Sequence, residues 1–147
     1  MALASPTVYV AVDAALLADS QYMAVAVDRG VYATGSVPDN QRLSDGTGKN
    51  GYTEIGSSTE TDNDQFDFDA ANAALTLTVR ATNKRWAMIL SRHIERILHT
   101  RQIQTGVFTG ESHWLVEGRI RFIEDFANPN GSHSAVLQYV TSTVYTG

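Results

Sequence analysis

The sequence predicts an α+β fold: an antiparallel sheet of about four or more strands, two helices packed on one face, and a long C-terminal hairpin. Three observations predict it. Residues 82–100 carry Trp86, Ile89, Leu90, His93, Ile94, Ile97 and Leu98 at the spacing of one helical face, with no Gly or Pro between. Residues 74–80 alternate, with Leu75, Leu77 and Val79 apolar and Thr76, Thr78 and Arg80 polar. Near the end, Asn128-Pro129-Asn130-Gly131 separates two strand-like runs, a hairpin signal.

The totals set the class. A chain of 147 residues is expected to form one domain over residues 1–147 with a real core. A hydrophobic fraction of 43% and a charged fraction of 18% read as globular. No apolar run approaches the ~20 residues of a membrane span, and no basic stretch followed by an apolar core marks a secretory signal. The absence of cysteine excludes disulfides, thiolate metal sites and cysteine nucleophiles, and is compatible with a cytoplasmic origin. A net charge of −5 argues against a protein that grips nucleic acid through its phosphates.

Taken in order, Ser5-Pro6 reads as an N-cap and first helical residue, opening a helix over 6–17 with Val8, Val12, Ala15 and Leu16 inward. Residues 21–37 read as an extended segment with a turn at Asp28-Arg29-Gly30. Residues 36–50, rich in Gly, Ser, Asp and Asn, read as a long loop. Residues 51–58 form a strand with Tyr52 and Glu54 on one face and Thr53 and Ile55 on the other. The 74–80 strand leads into the helix over 82–100, which Thr82 or Asn83 can cap. Arg96, His99 and Arg101 near its end suit the helix dipole. After a turn at 104–111, Trp114, Val116, Gly118, Ile120 and Phe122 form one face of a long strand, and Glu117, Arg119 and Arg121 the other. The last run, 134–145, is apolar on both sides, with Leu137, Tyr139 and Tyr145 opposite Val136, Val140 and Val144. It is expected to be covered on both faces or to lie in an interface.

Motifs for chemistry are missing. His93 and His99 are six apart on one helix, a poor metal pair. His93 reads as a core or half-buried residue, and His113 and His133 flank opposite ends of the hairpin strands. The run Asp62-Asn63-Asp64-Gln65-Phe66-Asp67-Phe68-Asp69 superficially resembles a calcium loop but lacks its sixth-position glycine and twelfth-position glutamate. There is no nucleophile-elbow motif, phosphate-cradling glycine loop or zinc-protease helix motif. The expectation is a protein that is not an enzyme and needs no cofactor.

Charge is segregated along the chain. Glu54, Glu60, Asp62, Asp64, Asp67 and Asp69 follow one another with no Lys or Arg between. Lys84, Arg85, Arg92, Arg96, Arg101, Arg119 and Arg121 fall in the second half. A subunit with one acidic and one basic patch can associate head to tail, and such contacts close into rings. The alternative is two ordinary solvated faces.

Certain phrases carry a resemblance. They are V-Y-A-x-G-x-V-P at 31–38, Y-T-E-I-G-S-S-T-E at 52–60, L-T-L-T-V at 75–79, I-x-x-I-L at 94–98 and R-F-I-E-D at 121–125. In this order, across residues 8–145, the chain resembles the tail-completion and tail-terminator proteins of long-tailed bacteriophages and the related head–tail joining proteins. The phrases mark structural positions, and the 36–50 loop is longer than the family core requires.

The resemblance implies a small α+β protein of the virion tail or neck, assembled in the host cytoplasm, with no membrane association. It implies a homo-oligomeric ring, usually a hexamer, that stops the tail tube, contacts the tube protein and the head-side connector or stopper, and passes DNA through its lumen. Glu60, Asp62, Asp64, Asp67 and Asp69 are the candidates for the lumen or ring contact. Lys84, Arg85, Arg92, Arg96, Arg119 and Arg121 are the candidates for the basic subunit contact. The alternatives are a head-side stopper or adaptor ring, a minor tail protein, or a ligand-binding domain with a pocket between the Trp86 helix and the Trp114 strand.

Overall fold

The computed structural model describes residues 4–33, 43, 49–62, 70–99, 103–104, 113–127, 129 and 132–145. Most of the 36–50 loop and of the 104–111 turn, together with Asp64, Asp67, Asp69 and Arg101, lies outside them.

Chain order gives α1 (Ala4–Ala18), α2 (Ser20–Val25), β1 (Ala26–Ala33), β2 (Gly51–Asp62), β3 (Ala70–Ala81), α3 (Lys84–Leu98), β4 (Ile103–Gln104), β5 (His113–Ala127) and β6 (His133–Tyr145). The strands make one six-stranded sheet in the order β1-β2-β3-β6-β5-β4. The expected α+β class holds, and the expected C-terminal hairpin is β5 with β6, antiparallel from His113↔Tyr145 to Ala127↔His133. His113 and His133 stand at opposite ends of it, as the sequence implied. One pair is parallel: β1 runs alongside β2.

The core lies between the sheet and its helices. Leu75, Leu77, Val79 and Ala81 of β3 and Ala135, Leu137 and Tyr139 of β6 face Val12 and Leu16 of α1 and Ala87, Leu90, Ile94 and Leu98 of α3. The strict alternation of β3 puts its leucines inward because successive side chains in a strand point to opposite faces. On α3 the buried line is Ala87, Leu90, Ser91, Ile94 and Leu98. Trp86, Ile89, His93 and Ile97 are half-buried beside it. The apolar stripe is therefore wider than the part that seals against the sheet, and that part includes two small residues, Ala87 and Ser91. Asn83 is the cap: its side-chain oxygen accepts from the Trp86 N–H at 3.0 Å.

Gly51 shows how close that approach is. A Cβ there would lie 2.5 Å from the Arg80 carbonyl oxygen and 2.6 Å from Leu90 Cδ1. The start of β2 thus threads under α3 only because it has no side chain. Next to it, the Asn50 N–H donates to the Val25 carbonyl and the Thr82 N–H donates to the Asn50 carbonyl, joining the ends of α2 and β3.

The N-terminal third departs from the sequence reading. α1 takes Ser5 and Pro6 inside its first turn, where proline costs little because that N–H has no helical acceptor. Residues 21–25, expected to be extended, form the end of α2. The cause is local: the Asp19 side chain accepts from the Tyr22 N–H at 2.8 Å and caps the helix, and Tyr22 is fully buried beneath it. Asp28-Arg29-Gly30 is not a turn between two segments but lies within β1. The β1–β2 register shifts between Ala26 and Val31, and Gly30 takes a φ of 79°, open to glycine.

Two bulges change β5. Its register against β6 shifts between Val116 and Arg119 and again between Phe122 and Glu124. Val116 pairs with Ser142 and Ile120 with Tyr139, so Trp114 and Val116 fall in the opposite phase from Ile120 and Phe122. The single face expected from Trp114 to Phe122 is broken, because each extra residue reverses the alternation.

Candidate contact surfaces

The outer side of α3 is the most cationic surface described. Arg85, Arg92 and Arg96 are exposed and recur at helical spacing opposite the buried line. They are not equivalent. Arg96 is held by Asp19 through Nη1 at 2.9 Å and Nη2 at 2.8 Å, and its Nη2 lies 3.2 Å from His93 Nδ1. The Arg96 guanidinium brings the Asp19 carboxyl down to a pKa of about 2, despite the opposing effect of burial. Lys84 Nζ lies 3.9 Å from Asp125 Oδ2. Among the described residues, Arg85 and Arg92 are the cations of α3 that have no ion pair.

The predicted basic set is not one patch. Arg121 is opposite Gln138 and Arg119 opposite Val140 in register, whereas Phe122 pairs with Leu137 on the helix side. Arg121 is exposed on the face turned away from α3. Lys84, Arg85, Arg92 and Arg96 therefore share one helix, while Arg121 lies on another surface and Arg119 shares its phase in the β5 register. Alternation within β5 could have separated them in the sequence.

The acidic set is also divided. Glu54 is 9% exposed and accepts from Arg80 Nε, and Arg80 Nη1 lies 3.4 Å from Ser134 Oγ. This pair sits on the sheet face away from the helices, where Tyr32 meets Tyr52 edge to face with ring centroids 5.6 Å apart. Burial and Glu54 both raise the Tyr52 pKa. Glu54 is thus offset by a cation from the next strand and is a structural residue. Glu60 and Asp62 lie further along β2, opposite Ala73 and Ala71.

Beside α3 is a shallow groove of about 300 Å³, lined by Met88, Ser91, Arg92, Glu95, Phe122 and Leu137. Phe122 of β5 is 45% exposed and Met88 of α3 36% exposed at its mouth. Trp86 does not line it. The groove is formed by α3 with β5 and β6, on the Met88 side of the helix. Spacing alone did not show this, since Met88 lies outside the apolar stripe.

The far face of the sheet is also open. Val140 is 46% exposed, Thr76, Thr78, Val136 and Gln138 are partly exposed, and Ile123, at the second bulge, is 43% exposed. Among the described residues, β6 is therefore covered on one face only over 133–140.

Buried polar groups serve the fold. The Tyr22 hydroxyl donates to the Gly30 carbonyl at 2.7 Å and lies 2.7 Å from Thr53 Oγ1, and burial raises its pKa. Ser91 Oγ donates to the Ala87 carbonyl at 2.8 Å. His133, 8% exposed, has Nε2 3.4 Å from Asp125 Oδ1 without the alignment of a hydrogen bond. Among the described residues no three metal-capable side chains converge, and no helix is long and apolar enough to cross a membrane.

No protein-family model and no curated protein matches this sequence. A solved structure does. A chain from the virion of a native gene transfer agent particle superposes with a TM-score of 0.70 at 16% sequence identity. The match spans 97% of this chain and 96% of that one, so it concerns the whole α+β architecture and not one hairpin. At 16% identity, the two chains share a fold.

Proposed function

We propose that this chain is a structural protein of a phage-like virion that forms a ring, typically a hexamer, on the end of the tail tube and joins it to the head connector. One observation carries the reading: the fold matches a chain of a gene transfer agent virion over 97% of its length, with almost nothing of either chain left over. The order of motifs that resembles tail terminators supports it independently. So does the surface, which exposes apolar side chains on both sides of the sheet.

In this reading DNA crosses the lumen, and the Glu60–Asp69 stretch faces it or the ring contact. Carboxylates repel phosphates, so the genome slides without sticking. The test is the combined neutralisation of Glu60, Asp62, Asp64 and Asp67. The variant should slow DNA passage or disturb the ring, and normal assembly with normal infection would reduce the stretch to a solvated tip. The ring itself is checked by light scattering and negative-stain imaging, first of the protein alone and then with purified tail tubes. Caps at one tube end are expected.

A head-side stopper or adaptor ring is the second reading, since the structural likeness is to a virion and not to one position in it. Binding to connector rings but not to tube ends would select it. A ligand-binding domain is disfavoured by the groove, which is shallow and has no convergent buried polar groups.

A further inference from the structure

The two sides of the sheet end differently. β1 closes one side, and its edge is blunted: Gly30 interrupts the strand with a φ of 79°, and the Val31 carbonyl accepts from Arg29 Nε of the same strand at 3.1 Å. Toward the other side stands β5. β4 pairs with it only at Leu115 and Trp114, and among the described residues nothing pairs with its outer edge from Val116 to Ala127. Arg121, Phe122 and Ile123 are exposed in succession, although successive residues of a strand point to opposite faces. β6, which has a strand on each side, exposes no residue between His133 and Tyr139. β5 also contains neither Pro nor Lys, two residues that guard open edges. Its free N–H and C=O groups form a template for another strand.

The strand that fits this edge best is the edge itself. Arg119 and Arg121 come before Phe122-Ile123, and Glu124 and Asp125 come after. Turned end for end, the basic half meets the acidic half and the apolar pair meets itself. In a regular strand the match would fail, because residues three apart point to opposite faces. The bulge between Phe122 and Glu124 corrects the phase. Arg121 is opposite Gln138 and Glu124 opposite Val136, two residues apart on β6, so positions 121 and 124 share the face turned away from the helices. By the same register, positions 120 and 125, opposite Tyr139 and Ala135, share the helix side.

We infer that the outer edge of β5 pairs antiparallel with the same edge of a second copy, about a two-fold axis between Phe122 and Ile123. Position 121 of each copy then lies opposite position 124 of the other, and the two sheets continue as one. Unlike charges directly opposite each other favour this register over a slipped one. The contact is isologous, the same patch on both copies. It goes beyond the ring proposed above, since a two-fold contact cannot recur around a single ring. It describes how subunits pair away from a tube end.

The test is sedimentation of the full chain over a wide range of concentration. A monomer–dimer equilibrium is expected. Arg121→Glu and Glu124→Arg should each weaken it about tenfold, because each sets like charges opposite one another. Combining the two changes should restore the dimer, and so should mixing the two single variants, which also shows that each one folds. The chain has no cysteine, so Ile123→Cys places a lone thiol beside the axis. Mild oxidation should link two such copies, whereas Arg29→Cys on β1 should stay unlinked. A monomer at every concentration, a dimer indifferent to both single changes, a double variant that stays apart, or a link through position 29 in place of 123 would overturn the inference. Tube caps are scored separately. Caps formed by a chain that never dimerises would remove the β5 pairing and leave the capping role, and a dimer that caps no tube would do the reverse.

Discussion

Asp19 and Arg96 lie 77 residues apart in the sequence and meet through both carboxylate oxygens, at 2.8 and 2.9 Å. The same carboxylate caps α2 through the Tyr22 N–H. One side chain therefore starts a helix and ties it to the last turn of another, next to the negative end of the α3 dipole, where Arg96 belongs.

This pair makes stability depend on acid. The Asp19 pKa falls from 3.8 to about 2 on folding. The stabilisation is complete above the unfolded value of 3.8 and is lost as pH drops toward 2. Arg96 is 40% exposed and Asp19 19%, so screening reduces the contribution to about 1 kcal/mol. Asp19→Ala, which also removes the cap, should cost about 1–2 kcal/mol at pH 7 and flatten the denaturation midpoint between pH 4 and pH 2. An unchanged acid limb would show that the pair is energetically idle.

Tyr22→Phe leaves the Gly30 carbonyl and the Thr53 hydroxyl without their buried partner. A loss of about 1–3 kcal/mol in urea denaturation is expected. Thr53→Val on the same background should cost less than it does alone, because the two hydroxyls share one interaction.

Gly51→Ala forces a methyl group against the Arg80 carbonyl and Leu90. The backbone atom cannot swing aside, so overpacking should cost about 1–3 kcal/mol. Adding Leu90→Ala should recover part of this loss, which a purely conformational effect of glycine would not.

The two faces of β6 predict opposite outcomes. Leu137→Ala removes a side chain buried under α3 and should cost about 2–5 kcal/mol. Val140→Lys, three residues on and 46% exposed, should alter monomer stability by no more than about 0.5 kcal/mol. A large effect at Val140 would mean that the far face is covered in solution.

What the sequence revealed was what repeats. The alternation of Leu75, Leu77 and Val79 and the stripe of α3 each repeat one signal several times, and each element formed where expected. What it hid rests on single residues. α2 follows from one cap at Asp19 and one buried ring at Tyr22, too short a signal to stand out among valines that suggest strand. The bulges of β5 have no composition of their own, and the first puts Trp114 and Val116 in the opposite phase from Ile120 and Phe122. The groove was hidden for the same reason. Met88 and Phe122 become neighbours only when β5 lies beside α3.

The placement of β6 also governs how the chain can be made. It follows every other strand in chain order, yet it lies in the interior of the sheet, between β3 and β5. During synthesis β3 emerges early and waits with an open edge, and its pairing from Ala70↔Val144 to Ala81↔His133 must bridge more than fifty residues. Contacts of such long range form slowly. A nascent chain that stalls before His133 exposes two sticky strand edges and no finished surface. Only a chain translated through β6 closes both edges, so the topology withholds the finished surface until the last strand is made.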